Sequence, residues 1–384
     1  MRLIHTADWH IGRHFFNINL VEDQAHVLDQ FIALVRDARP DVVLVSGDIY
    51  DRAVPPADAV RLLDDILSRI VIGLRVPVVL IAGNHDSPDR LGFGARLLAA
   101  HGLHVAGPLS ADPLHAIRND ADGPVHVYGL PYAEPAVGRN CLGREDLTDH
   151  NRLMYALVER VKASHPAGER SVVLAHAFVA GGEGCDSERA LTVGGSGAVD
   201  VACFEGFSYV ALGHLHRPQA MVNGRIQYPG SLLKYSFSEA SHVKSVNLVE
   251  MDGTGICKVE RVHLTPRRDV RAIKGTLQEL LGAAPSEADR DDYLQVMLLD
   301  KGPVLDAMAR LQTVYPNALH IERPERLPEA STSSTAAEQR RLSDLDLFST
   351  FFAHATGDQL SPDEAKIFVE VAEGLRRRDR ESGT

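Results

Sequence analysis

The chain has 384 residues, enough for two to three domains, and 45% hydrophobic with 24% charged residues is a globular composition, neither disordered nor fibrous. A net charge of −12 gives no support to a protein that binds nucleic acid through its overall charge, although a few cations or bound ions in a cleft can reverse the local field. No apolar run approaches the roughly 20 residues of a membrane span. The opening MRLIHTADWH puts Asp8 and His10 where an export signal needs an apolar stretch, and the four scattered cysteines suit neither a disulfide framework nor a thiolate zinc site. A cytoplasmic enzyme is expected.

Runs rich in Val, Ile and Leu predict buried strands at Arg2–Thr6, Val42–Ser46, 76–82, 125–130, 171–175 and 208–212. Helical periodicity fills the gaps between the first three, at 22–37 with Val27, Leu28, Phe31 and Val35, and at 57–72 with Leu63, Ile66, Leu67 and Ile70. This alternation predicts an α/β layered domain with much parallel pairing. Further on, 226–228 and 243–251 predict antiparallel strands, and Asn223-Gly224 marks a hairpin turn between Gln219 and Gln227. From Pro266 a helix at 276–281, a strand at 293–299, a helix at 303–314 and a strand at 318–321 predict a small α+β module. The segment around PEASTSSTAAEQ has almost nothing to bury and predicts a flexible linker, followed by amphipathic helices at 345–354 and 362–375. The expected domains are therefore 1–264, 265–323, a linker at 324–343 and a helical segment at 344–380.

The chemistry lies at the carboxyl end of each strand. Asp8 and His10 come directly after the first, Gly47-Asp48 after the second, and Gly83-Asn84-His85-Asp86 after the third. His176 closes the run at 171–175, and Gly213-His214-Leu215-His216 closes 208–212. Ligands of α/β sheets bind beyond the carboxyl ends of the strands. Alternation along an extended segment would send the His214 and His216 imidazoles to the same side. One such residue means little, whereas five strand ends in succession make a constellation. Carboxylates, an amide and imidazoles without thiolate suit manganese, iron, zinc or nickel. The donors outnumber what one ion takes, so two ions sharing a carboxylate fit better, about 3.5–4 Å apart, as in two-metal phosphoester chemistry.

Asp-x-His, Gly-Asp, Gly-Asn-His-Asp, a single His and Gly-His-x-His, in that order, resemble the calcineurin-like metallophosphoesterases. More narrowly, HTADWHIGR, VSGDIYDR, AGNHDSP, CDSERALTVGGSGAV, YVALGHLHRPQ and YPGSLLKYSFSEA resemble the SbcD family of bacterial nuclease subunits, over Met1 to about Met251. The resemblance implies a layered metallophosphoesterase core of mixed β-sheets flanked by helices, with a small α+β capping domain and a C-terminal helical tail. It implies one ion on Asp8, His10, Asp48 and His216 and a second on Asp48, Asn84, His176 and His214, with Asp48 bridging. The expected ions are two Mn2+, with Mg2+, Fe2+ or another divalent ion as alternatives. His85 then assists the leaving group and Asp86 orients His85. The implied activity is exonuclease action on duplex DNA from a 3′ end and endonuclease action on single strands or hairpins, in DNA repair and recombination. The implied partners are DNA, the ATPase subunit SbcC, whose coiled coil takes the C-terminal helices, and a second copy of the chain through helices at 57–72 and 89–101. Archaeal and eukaryotic relatives carry a histidine where this chain has Asp51, so that histidine's role is not carried over.

Two rival readings remain. A small-molecule phosphodiesterase or phosphatase would use the same donors without needing a linker and apolar tail, and a metal-free scaffold would have no need to keep them. The glycine-rich stretch 179–199 reads either as a surface loop or as a mobile flap over DNA. Trp9 suits packing better than base stacking. Arg13, Arg52 and Arg217 suit phosphate contact or plain solvation, and Arg267, Arg268 and Arg271 are candidate DNA contacts.

Overall fold

The computed structural model describes residues 1–189, 191, 197–283, 285–323, 344–356 and 358–381. The chain divides into two compact units, Met1–Arg271 and Ala272–Thr384. The larger unit is built from β1 (Arg2–Thr6), β2 (Val42–Ser46), β3 (Val78–Ile81), β4 (Leu103–Ala106), β5 (Leu114–Asp120) and β6 (Gly123–Leu130). It continues with β7 (Arg170–His176), β8 (Tyr209–Gly213), β9 (Gln219–Met221), β10 (Ile226–Tyr228), β11 (Ser245–Met251) and β12 (Cys257–His263).

These strands form two six-stranded sheets, ordered β12-β11-β1-β2-β3-β4 and β9-β10-β8-β7-β6-β5. β1 to β4 pair in parallel, and β11 joins β1 antiparallel with Leu3 opposite Val249. In the second sheet β6, β7, β8 and β10 are parallel, and the β9–β10 hairpin turns at the expected Asn223-Gly224. Strands buried on both faces read as continuous apolar runs, which is why β1, β2, β3 and β7 stand out in the sequence. Edge strands such as β5 and β12 mix exposed with half-buried residues and do not.

The two sheets face each other. Leu3, Val42, Leu44, Val79 and Ile81 of one meet Val125, Val127, Val172, Leu174 and Ala211 of the other in one buried cluster. A polar layer crosses the same interface. His5 donates to the Leu212 carbonyl (3.2 Å) and accepts from the Tyr209 hydroxyl (3.0 Å), while Ser46 Oγ donates to the Ala211 carbonyl (2.9 Å). Burial pushes His5 down to about 3, so it sits there as a neutral ring. Helix Val21–Ala38 buries Val27, Leu28, Phe31 and Val35 at helical spacing. On the second sheet, helix His150–Ser164 packs Leu153, Leu157 and Val161, and its N-cap Asp149 accepts from the Arg152 N–H.

The segment expected as one helix at 89–101 is two short ones, Pro88–Leu91 and Ala95–Ala99, the break between them including Gly94, which stands before the second with a φ of +73°. Helix Ala57–Ser68 is extended by a wider turn, Arg69–Gly73.

The smaller unit has a three-stranded sheet, β13 (Val270–Gly275), β14 (Tyr293–Leu298) and β15 (Ala318–Glu322), with β13 starting in the boundary residues. Helix Leu277–Gly282 opens with a reciprocal cap between Thr276 and Glu279. The helix expected at 303–314 is confined to Ala307–Gln312, since Asp306 before it has a φ of +51°. Leu277, Leu280, Leu294, Val296 and Leu311 form the core of this unit. The helices Asp344–Thr356 and Pro362–Glu381 meet through Phe348 and Phe368, with ring centroids 4.0 Å apart and planes within 8°. The linker expected at 324–343 lies outside the described residues. Among the described residues no helix is long and apolar enough to cross a membrane, and all four cysteines are free thiols.

Leu174 is fully buried between the sheets. Leu174→Ala is expected to destabilise the protein by about 2–5 kcal/mol. Chemical denaturation of the full chain checks this, and a loss below about 1 kcal/mol would show that the interface does not carry the fold.

Candidate metal centre

The five strands that deliver polar residues belong to two sheets, and the rim lies where the carboxyl ends of β1, β2 and β3 meet those of β7 and β8. The His176 Nδ1–H donates to the Ser46 carbonyl (2.9 Å), tying the end of β7 to the end of β2. Asp8, His10 and Asp48 adopt φ values of +54°, +46° and +50°, which residues with a Cβ rarely take. Backbone bonds hold them there, from the Asp8 N–H to the Gly47 carbonyl (3.1 Å) and from the His10 N–H to the Asp48 carbonyl (2.9 Å). The flanking glycines make room. A Cβ on Gly83 would lie 2.1 Å from Asp48 Oδ1, and one on Gly213 1.9 Å from the Ser46 carbonyl oxygen.

Asp48 is the hub. Its Oδ1 accepts the His85 N–H (2.9 Å), while Oδ2 lies 3.5 Å from His176 Nε2, 3.6 Å from His10 Nε2 and 4.0 Å from His85 Nε2. On one side stand Asp8, His10 and His216, with His10 Nε2 and His216 Nε2 3.0 Å apart. On the other, Asn84 Oδ1 lies 2.8 Å from His176 Nε2 and 3.2 Å from His214 Nδ1. All seven donor residues expected from the sequence thus converge. Extended alternation does not bring His214 and His216 there. His214 has a φ of +107°, so the chain leaves the strand and the two imidazoles go to different halves of the cluster. The His214 N–H itself donates to both Asp8 oxygens (3.0 and 3.1 Å).

His85 donates from Nδ1 to the Asp51 carbonyl (2.7 Å), leaving Nε2 bare, and its ring stands edge-on to His10. Asp86 does not orient it. The Asp86 carboxylate accepts the N–H groups of Ile49, Tyr50 and Gly83 (3.1, 2.9 and 2.9 Å), lacing the loop after β3 to the loop after β2. The orienting role expected for Asp86 falls to the backbone of Asp51. The Asp51 side chain pairs with Arg13 (3.2 Å) and lies 3.7 Å from His10 Nδ1.

A bracing network stands behind His216, and its Ser187, Glu188 and Glu239 fall in CDSERALTVGGSGAV and YPGSLLKYSFSEA, stretches whose residues had no role assigned from sequence. Ser187 Oγ donates to Glu239 (2.5 Å) and accepts the His216 Nδ1–H (2.6 Å), while Glu188 accepts the His216 N–H (2.7 Å). Glu239 is fully buried and paired with Lys244, which also donates to the His216 carbonyl (2.7 Å). Burial works to raise Glu239, but Lys244 and His216 hold it well below the usual carboxylate range. The stretch 179–199, which reads in sequence as a surface loop or a mobile flap, braces His216 at Ser187 and Glu188; residues 190 and 192–196 lie outside the described residues.

Several of the other candidate residues have partners within the protein, Arg52 beside His14 Nδ1 (3.4 Å) among them. Trp9 is buried, donating to Thr6 Oγ1 (2.8 Å) and packing edge-on against Phe31, so it offers no face to a base. Arg13 binds Asp51 and the Ser187 carbonyl, and Arg217 pairs with Glu183. Arg267 pairs with Glu22 (2.8 Å) and Arg268 with the buried Asp23 (2.7 Å), which anchors the chain to the start of helix Val21–Ala38.

Electrostatically the rim favours neutral imidazoles at His10 and His214. Burial raises Asp8 well above its ordinary value and lowers His10 well below, and burial pushes His214 down to about 3. Burial also works against charge on His176, but Asp48 overrides it and lifts the ring to about 9. Burial opposes ionisation of Asp48 as well, and His176, His10 and His85 nevertheless hold it well below the carboxylate range. The donors fit divalent ions. They are buried nitrogen and oxygen atoms, His10 Nδ1 and Asn84 Nδ2 have no hydrogen-bond partner, and the His216 Nδ1–H bond leaves its Nε2 bare against His10.

A family model described as calcineurin-like phosphoesterase matches residues 1–218. The SbcD C-terminal model, described as the type 5 capsule protein repressor C-terminal domain, matches residues 266–356. Among solved structures, TT1561 of Thermus thermophilus is 13% identical, with 69% of this chain and 99% of that chain covered and a TM-score of 0.41. A dimetal phosphatase from Danio rerio is 14% identical, with 69% and 99% covered and a TM-score of 0.41. GAP50, described as the anchor in the inner membrane complex of Plasmodium, is 10% identical, with 87% and 98% covered and a TM-score of 0.38.

The geometry makes two outcomes measurable. With His176 lifted to about 9, a metal loaded at pH 7 must displace its proton. Calorimetry of Mn2+ binding in buffers of different ionisation enthalpy is expected to show that release, and identical heats in all buffers would disprove it. Ser187→Ala, which removes the acceptor that fixes the His216 tautomer, is expected to weaken metal binding about 10–100-fold without unfolding the protein. Unchanged affinity would show that the brace has no hold on the site.

Proposed function

The chain belongs to the calcineurin-like phosphoesterase family and carries an SbcD-type C-terminal domain, and from that premise we propose that it is a two-metal DNA nuclease. The observation that carries this reading is the convergence of Asp8, His10, Asp48, Asn84, His176, His214 and His216 on one buried rim, in a chain whose 266–356 segment matches the SbcD C-terminal model.

In this reading Asp8, His10, Asp48 and His216 hold one divalent ion and Asp48, Asn84, His176 and His214 the other, with Mn2+ the expected metal. When bound, the two ions supply Lewis-acid stabilisation of the charge that develops at phosphorus. The chain's own residues do the rest. Asp48, fixed through the His85 N–H, sets the spacing of the two halves. Asp86 holds the two loops in register. His85, steadied by the Asp51 carbonyl, keeps Nε2 beside the cluster; with a second proton on Nε2 it would pass that proton to the departing oxygen and be left neutral, its Nδ1–H still on Asp51.

The substrate is DNA, cut as an exonuclease from the 3′ end of a duplex and as an endonuclease in single strands or hairpins, in cytoplasmic DNA repair and recombination. The partner is the ATPase subunit SbcC, docked on the C-terminal helices. Phe351 there is 66% exposed, with Ile367 and Val371 also outward, the apolar surface such docking requires. A homodimer forms through the face that carries Phe93 (86% exposed), Leu97 (78%) and Ile72. The alternative is a small-molecule phosphodiesterase or phosphatase on the same core.

Labelled hairpin and blunt-duplex DNA, offered in Mn2+ with an EDTA control, test this reading. The protein is expected to degrade both, EDTA to abolish degradation, and His85→Ala to slow it about 10²–10⁴-fold with metal content unchanged. Hydrolysis of p-nitrophenyl phosphodiesters with DNA left intact would reject the nuclease in favour of the alternative.

A further inference from the structure

Away from the metal rim, a cavity of about 360 Å3 opens in the larger unit, walled by β4, β5, β6 and the segment 92–99. That volume lies in the range of small-molecule sites. Its apolar surface comes from Val105, Leu109, Leu114 and Leu130, and its polar wall from Arg96, His104 and His115, with Asp112 the one carboxylate among the described lining residues.

The polarity of the wall follows from hydrogen bonding. The Glu169 carboxylate accepts from His126 Nε2–H, so His126 Nδ1 is bare and accepts from His115 Nε2–H (2.8 Å). That leaves His115 Nδ1 as an acceptor, on a ring held flat against Tyr128 at 4.6 Å. On the other side, Arg118 can only donate, so His104 Nε2 accepts from it (2.7 Å) and His104 presents Nδ1–H as a donor. Burial lowers the Arg118 guanidinium from its ordinary value, and its Nε is buried without a hydrogen bond. The wall therefore offers one cationic donor in Arg96, the His104 N–H, one fixed acceptor and an apolar surface, which call for a small anion with a flat apolar body and a donor group of its own.

We propose that this cavity binds a deoxynucleoside 5′-monophosphate. The phosphate lies on Arg96 and the His104 edge, the base lies among Leu109, Leu114 and Leu130, and an N–H or O–H of the nucleoside donates to His115 Nδ1. The choice of a deoxynucleotide rests on the nuclease reading, which makes that compound the product of exonuclease turnover. The wall residues 92–99 follow Asn84, His85 and Asp86 on the same stretch of chain.

The test is calorimetry on the full chain in EDTA, where neither turnover nor phosphate bound through metal contributes, with deoxyadenosine monophosphate, deoxyadenosine and inorganic phosphate as separate probes. The monophosphate is expected to bind at one site, with the other two at least about tenfold weaker. His115→Phe, which keeps the stack on Tyr128, and Arg96→Met are each expected to weaken it about tenfold, with unfolding midpoints unchanged, while Asn84→Ala at the rim has no effect. No monophosphate binding, affinity unmoved by both cavity variants, or loss in Asn84→Ala alone would overturn the site. Since EDTA separates binding from cleavage, a positive result stands even if DNA is never cut, and an active nuclease without monophosphate binding removes the cavity proposal alone.

Discussion

A carboxylate buried among imidazoles is the constraint on which the rim depends. Asp48 is almost wholly removed from water, where an uncompensated charge costs several kcal/mol. The neighbouring His176, His10 and His85 offset that cost, and the backbone must follow. Three residues accept left-handed conformations, glycines stand wherever a Cβ would strike Asp48 or the Ser46 carbonyl, and Asp86 gathers three backbone N–H groups to hold the loops. Stability and chemistry compete here, because the arrangement that brings the donors together also holds Asp8, His10 and Asp48 in left-handed backbone conformations.

The donor set was legible because of where it falls in the sequence. Strands buried on both faces are unbroken apolar runs, so a polar residue soon after Thr6, Ser46 or Ala82 is conspicuous. Gly83 and Gly213 are legible for the same reason, as close-approach glycines beside a donor. The pairing of the donors was less accessible. The turn at His214, which sends its imidazole away from that of His216, is a single backbone angle, and no pattern of alternation reveals it.

Distance along the chain hid the groups that support the donors. Ser187 lies 29 residues before His216 and Lys244 lies 28 after it, and each is an ordinary surface type until burial makes it a partner. Glu239 is hidden in the same way. Asp86 misled through proximity, since it is adjacent to His85 yet its oxygens face Ile49 and Tyr50. The arginines at 267 and 268 look like phosphate contacts in sequence, but acidic residues on helix Val21–Ala38 had prior claim to them. The helix at His150–Ser164 carries a readable spacing of Leu153, Leu157 and Val161, but its polar start conceals it among loop residues.

β1 has neighbours on both sides, β2 a short way along the chain and β11 far toward the other end of the sequence, with Leu3 opposite Val249. At ribosomal rates of roughly 5–20 residues per second, on the order of tens of seconds separate the synthesis of these two strands. During that interval β1 has an open side, and the histidines from β7 and β8 have yet to meet Asp8 and Asp48. An unsealed strand edge invites pairing with other chains. The nascent protein therefore passes through a stage in which an apolar strand of its core is exposed, and its safe production depends on how well that edge is shielded until β11 emerges.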